Sequence, residues 1–213
     1  MINTKYKARK PVQKRGIITR KKIIDAAVDE FTEKGYHNTN AMAIAIKAGV
    51  ATGTFYSYFN DKKDIMIEII KVIYADLSKK TLVDFQVTVS DNAMENYKEC
   101  RRVVQYMIDI FHTAYVERPR LFEQIYAMVI LDKDIYQVNR EERHKIFTQL
   151  MFNLKDYADY IKVKDIETAS RLLFISGDEI VRSIQLLSKE DDRKKMLNEF
   201  VAMACKYLML PEE

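Results

Sequence analysis

Four hydroxyl side chains, Thr52, Thr54, Tyr56 and Ser57, fall within six residues just after the run Ala48-Gly49-Val50. Hydroxyls donate and accept at will, so a short helix turning them outward suits a polar partner such as the phosphates and base edges of a duplex. Catalytic chemistry needs other sets, and the chain offers only fragments of them. His37, His112 and His144 are scattered. Glu141 and His144 have the helical spacing of half a di-iron site, but a second such pair and two further Glu are not evident. The glycines of 49–54 lack the Lys that a phosphate-gripping loop requires. No nucleophile-elbow sequence and no C-x-x-C occurs. Cys100 and Cys205 have no partner nearby in sequence, so both are expected as buried structural residues. No catalytic residue, metal or cofactor is therefore assigned.

The hydroxyl stretch has to be held by its neighbours. Ile23, Ile24, Ala27, Val28 and Phe31 recur at helical spacing, giving a helix over about 17–34 that Gly35 can end in a left-handed turn. Residues 41–48 form a short helix with Ile44 and Ala48 on one face and Ala45 beside them. Gly49 turns the chain, and a second short helix puts Phe55 and Tyr58 inward. Two short helices joined by a Gly-containing turn make a helix-turn-helix, with Ala45 small enough for the second helix to cross close to the first. Ile65, Ile69, Val72, Ile73 and Leu77 then mark a long helix from Lys62, expected to run unbroken over 62–80. A loop is expected near 86–95, where Phe85, Val87 and Val89 alternate as a short extended piece would. Further helices follow at about 96–117, 120–131 (opened by Pro119), 134–160, 166–187 (capped by Asp165) and 190–208.

Composition agrees with an all-α chain. It holds only 5 Gly and 3 Pro, with 48% apolar and 31% charged residues. Two Cys exclude a disulfide scaffold and suit a reducing, cytoplasmic setting. No apolar run reaches the ~18 residues of a membrane span, and no secretory signal is apparent. The net charge of +4 divides unevenly, +7 over residues 1–64 and −3 over 65–213. Nine basic residues and no acid occupy the first 24 positions, the footprint of a nucleic-acid binder.

Residues 20–65 resemble the DNA-binding domain of TetR-family transcriptional regulators. The resemblance rests on Ile24-Asp-Ala-Ala, Phe31, Gly35-Tyr36, Thr39, Ile44-Ala45, Ala48-Gly49-Val50, Gly53-Thr54-Phe55-Tyr56, Tyr58-Phe59 and Lys62, in order and at the family's spacing. Two departures stand out. Ala51 replaces a common Ser, which shifts the expected helix cap to Thr52, and Asn40 replaces a common Thr or Ser. The resemblance implies three segments: a basic arm (1–16), the helix-turn-helix domain (17–61), and a helical bundle for ligand binding and dimerisation (62–213). It implies that Thr52, Gly53 and Ser57 approach bases, and that Thr39, Thr54, Tyr56 and Lys62 hold phosphates. Tyr58 and Phe59 are assigned to packing.

The same resemblance implies a homodimer on an inverted-repeat operator, usually as a repressor released by a small effector. The last two helices carry apolar residues on more than one side and so need more than one partner. Leu172, Ile175, Ile180, Ile184, Phe200, Met203 and Tyr207 are the expected dimer residues. Nine Tyr, seven Phe and eight Met fall in 65–213, adaptable material for a pocket holding a largely apolar or amphipathic molecule. Met107, Phe111, Tyr115, Tyr126, Met128, Met151, Phe152 and Phe174 are its expected lining. Gly177, in mid-helix, is expected to allow close helix approach at the dimer interface or room for the ligand. Two other readings stay open at this point: an all-helical enzyme of unrecognised type, and a helix-turn-helix that binds protein.

Overall fold

The computed structural model describes residues 14–83, 92–155, 158–187 and 189–209. Most of the basic arm and the 84–91 segment lie outside them. Nine α-helices are present among the described residues: α1 (Lys14–Lys34), α2 (Ala41–Lys47), α3 (Thr52–Tyr58), α4 (Lys62–Val83), α5 (Ala93–Glu117), α6 (Pro119–Leu131), α7 (Lys133–Lys155), α8 (Ile166–Ser183) and α9 (Glu190–Leu208). The one extended pairing among the described residues is an antiparallel bridge between Ile161 and Met209. The all-α expectation holds. No described helix is long and apolar enough to cross a membrane.

Local chemistry accounts for most helix ends. Asp165 caps α8 by accepting from the Thr168 backbone N–H at 3.0 Å, and Pro119 opens α6, where its missing N–H costs nothing. Two ends differ from expectation. The helix expected to reach 160 stops at Lys155, and a 3₁₀ turn occupies Ala158–Tyr160. The helix expected to reach 187 tightens into a 3₁₀ turn at Ile184–Leu186, the usual way a last turn satisfies its carbonyls.

The chain divides into two compact units, 1–73 with 118–142, and 74–117 with 143–213. In the first, α1 packs against both α2 and α6, and α2 against α3. Ile23, Phe31, Ile44, Phe55, Ile65 and Leu121 are completely or almost completely buried there. In the second, α5, α8 and α9 pack against one another around Ile108, Phe147, Val181, Leu197, Phe200 and Val201. Gly177 belongs to this internal packing. A Cβ at 177 would stand 3.1 Å from Ile108 Cδ1 and 3.3 Å from the Phe200 ring, so the glycine admits α5 and α9 within one chain.

Gly49 has φ +67° in the turn between α2 and α3, and a Cβ there would meet nothing within 4 Å. Its requirement is therefore conformational rather than steric. Gly49→Ala is expected to lower unfolding free energy by roughly 1–2 kcal/mol, the ordinary cost of a left-handed residue with a Cβ. Denaturant unfolding checks this, and an unchanged midpoint would contradict it.

Candidate nucleic-acid interface

The helix-turn-helix is built from two seven-residue helices. Asn40 caps α2, its side chain accepting from the Ala43 backbone N–H at 2.9 Å. Gly49 and Val50 then donate back to the carbonyls of Ile46 and Ala45, both at 3.0 Å, closing the turn. Ile44, Ala45 and Phe55 are fully buried where the two helices cross, and Phe59 lies almost as deep. Tyr58 is half-buried, consistent with its expected packing role. The cap expected from Thr52 is not made: Ala51 holds the N-cap position of α3 without any side-chain bond.

With Phe55 inward, the rest of α3 faces out. Thr52, Gly53 and Ser57 are exposed, Thr54 is half-buried, and Tyr56 is 53% exposed with its ring edge-on to Phe55. The Ser57 hydroxyl donates to the Thr54 carbonyl at 2.6 Å, which leaves its oxygen able to accept. Nothing lies within 4 Å of where a Gly53 Cβ would stand, so a partner's surface can come close to the backbone at that point.

Thr39 and Lys62 are placed otherwise than expected. Thr39 is 1% exposed, and its hydroxyl lies 2.9 Å from the Gly35 carbonyl and 3.2 Å from that of Glu30. It ties the end of α1 to the turn and presents nothing to a phosphate. The Lys62 ammonium donates to the carbonyls of Tyr36 at 2.7 Å, Thr39 at 2.9 Å and His37 at 3.2 Å. It also sits 4.5 Å from the centre of the Tyr36 ring. Three donors meet three carbonyls, so Lys62 acts as a clamp on the 36–39 turn. Burial holds its pKa below the usual lysine value. The Tyr36 phenol is pushed up by its own burial and by the Asp61 and Asp132 carboxylates.

Three further residues carry this scaffold that the sequence pattern did not mark. Gln124 on α6 accepts the Tyr36 backbone N–H at 2.8 Å. Arg20 pairs with Glu68 at 2.8 Å and lies over the Phe59 ring. Glu30, buried on the inner side of α1, meets Lys34 at 2.7 Å and Lys47 at 3.8 Å. Glu30 broke the apolar stripe of α1 and was visible as an anomaly. Gln124, 88 residues from its partner, had no local signal.

The second unit holds an apolar cavity of about 150 Å³ between α5, α7, α8 and α9. Met107, Phe111 and Phe174 line it as expected; Tyr115, Met151 and Phe152 do not. Tyr115 is buried elsewhere, and Phe152 is 66% exposed on α7. Tyr126 and Met128 belong to α6 in the other unit. The wall is completed by Cys100, Val103, Val104, Leu150, Leu173 and Phe200 among others. Helical periodicity identifies an apolar face but not which part of it borders a void.

The expected dimer residues also separate. Leu172, Ile175 and Met203 are 52–55% exposed, and Tyr207 lies at the margin of exposure. Ile180 is half-buried. Ile184 and Phe200 are buried within the chain itself and offer nothing to a second copy. His144 stacks on Phe147, and Glu141 accepts from Gln137 at 2.8 Å.

Lys62→Met keeps the aliphatic stem and removes the ammonium, leaving three carbonyls without their donor. It is expected to destabilise the fold by about 1–3 kcal/mol, the cost of losing charge-assisted bonds in a part-buried setting. Denaturant unfolding would show this; a loss within the experimental error would contradict the clamp.

Comparison with known proteins bears on the same segment. Residues 23–69 match the sequence model described as bacterial regulatory proteins, tetR family. A fatty acid metabolism regulator protein of Bacillus subtilis is 53% identical over 49 residues, which are 23% of this chain and 25% of that protein. The chain thus spans only a quarter of that relative's length. The structure of the fatty acid degradation regulator FadR from Bacillus halodurans matches with TM-score 0.70 and 18% identity, covering 93% of this chain and 97% of that one. FadR from Bacillus subtilis, solved with stearoyl-CoA, matches with TM-score 0.66 and 23% identity, covering 88% and 98%. Residues 23–69 are thus similar to the DNA-binding segment of the tetR family of bacterial regulatory proteins, and the chain as a whole shares the fold of these solved structures.

Proposed function

We propose that this chain is a ligand-responsive DNA-binding regulator, a repressor that works in the cytoplasm. It would bind an inverted-repeat operator as a homodimer and release it when an apolar effector binds. The observation that carries the reading is the outward hydroxyl face of α3, set on a scaffold clamped by Lys62 and Gln124. In this reading α3 enters the major groove. Thr52, Gly53 and Ser57 approach base edges, and Thr54 and Tyr56 bond phosphates, which fix register without specifying sequence. Residues 1–16 would add charge to the backbone contact, 17–61 would read DNA, and 62–213 would bind effector and partner.

The effector site is the cavity bordered by α5, α8 and α9. The cavity, about 150 Å³ and mostly apolar, has room for a guest of benzene's size. A longer molecule must spread the helices to enter, and this couples occupancy to their position. Chain continuity gives that movement a route, because α5 is joined to α6 by the single residue Arg118 and Gln124 of α6 holds the turn before α2. The Bacillus subtilis relative solved with stearoyl-CoA makes a fatty acyl compound the first effector class to try. The effector must favour one of the two states, or it shifts nothing.

Dimerisation would use the apolar residues left exposed on the last two helices, Leu172 and Ile175 of α8 with Met196, Met203 and Tyr207 of α9. A two-fold pairing of this face supplies two reading heads to two half-sites. Light scattering at micromolar concentration is expected to give a dimer, and the double variant Ile175→Glu, Met203→Glu a monomer. A monomeric wild-type protein would contradict the pairing.

The DNA reading is tested on α3. Tyr56→Phe is expected to weaken every duplex about tenfold, the worth of one charge-assisted bond. Thr52→Ala is expected to alter preference among sequences. Anisotropy titrations against a panel of duplexes read both; an equal loss across the panel for Thr52→Ala would remove its readout role. Wild-type affinity that did not fall with rising salt would remove the phosphate contacts altogether.

A further inference from the structure

The two cysteines of this chain, unrelated in sequence, meet in the fold. Cys100 Sγ on α5 lies 3.5 Å from Cys205 Sγ on α9, and both thiols are free. A disulfide requires about 2.05 Å between the sulfurs, so the remaining approach is within the reach of side-chain rotation and a small shift of two packed helices. The two sulfurs are not equivalent. Cys100 is half-buried and forms part of the cavity wall, whereas Cys205 is fully buried behind it. An oxidant that enters the cavity meets Cys100 first and finds a second sulfur within contact distance.

We propose that Cys100 and Cys205 form a reversible dithiol–disulfide site, closed by apolar organic hydroperoxides that enter through the cavity. The Cys100 sulfur attacks the peroxide oxygen, and its S–H proton goes to the departing alkoxide oxygen. The O–O bond breaks, leaving Cys100 as a sulfenic acid and releasing an alcohol once the alkoxide takes up a proton. The Cys205 sulfur then attacks the Cys100 sulfur. The S–S bond forms, the S–O bond breaks, and the hydroxide leaves as water with the Cys205 proton. Two thiols lose two electrons to one hydroperoxide, giving one disulfide, one alcohol and one water.

Access sets this order, because Cys100 borders the cavity and Cys205 does not. The bond donated by the Cys100 thiol, with the charge of Arg101 nearby, draws the Cys205 pKa down against its burial. The same bond and burial push Cys100 up. Cys205, whose thiolate is the more favoured of the two, is thus the sulfur poised to attack the Cys100 sulfenic acid. The cavity is walled by Val103, Val104, Phe111 and Leu150, which selects an apolar oxidant over hydrogen peroxide. Nothing in the step depends on DNA, so its test stands whether or not the regulatory reading holds.

The full-length protein is treated with cumene hydroperoxide or, separately, hydrogen peroxide, then alkylated, digested and analysed by mass spectrometry. The expected product is one disulfide within each chain, joining the peptides of Cys100 and Cys205 and opened by dithiothreitol. Cumene hydroperoxide is expected to form it about tenfold faster than hydrogen peroxide at equal concentration, equivalent to about 1.4 kcal/mol of apolar transfer. In Cys205→Ser, Cys100 is expected to stop at a sulfenic acid that dimedone traps. Both thiols remaining alkylatable, or disulfides only between chains, would overturn the proposal. Equal or faster closure by hydrogen peroxide would overturn the cavity as the route.

Discussion

Two seven-residue helices lie well below the length at which a helix holds itself in water, so α2 and α3 take their orientation from what grips them. The grip is concentrated on the turn between α1 and α2. Lys62, at the start of α4, binds three successive features of that turn through the carbonyls of Tyr36, His37 and Thr39. Gln124, from α6, binds the Tyr36 N–H. Thr39 closes the turn from within, against the Gly35 and Glu30 carbonyls. Because the polar groups of the turn are met from both α4 and α6, the position of α3 follows those two helices.

The second unit follows a different logic. Its helices bring apolar surface together without filling the space completely, and a void remains beside Gly177, Phe174 and Cys100. Interiors normally pack close to crystal density, so a void of this size is a local loss of contact energy that a guest recovers. Leu172, Ile175 and Met203 remain exposed on α8 and α9. The same helices, α8 and α9, therefore border the cavity on one side and leave apolar residues exposed on another.

Legibility in the sequence followed the range of the interactions. The helix-turn-helix was readable because its determinants are local: Ile44, Ala45 and Phe55 at helical spacing, and Gly49 at a position with positive φ. Pro119 and Asp165 marked helix starts for the same reason. The phosphate roles of Thr39 and Lys62 were implied by the resemblance, and only tertiary structure shows that carbonyls hold both side chains in the free protein. Tyr126 and Met128 were misplaced because α6, though it follows α5 in sequence, packs in the unit of α1. Ile184 and Phe200 share apolar character with Ile175 and Met203, and periodicity alone does not separate an inner from an outer stripe on a helix with apolar residues on both sides. The Cys100–Cys205 contact spans 105 residues and had no trace in the sequence.

Selection of purified full-length protein against a random duplex library, read by sequencing the enriched pool, tests the central claim most directly. Enrichment of an inverted repeat, with half-sites about one helical turn or a multiple of it apart, is the expected result for a dimer that reads DNA through α3. A pool from folded, dimeric protein that stays random, both as purified and after unfolding, dialysis and refolding to strip any bound ligand, would contradict it.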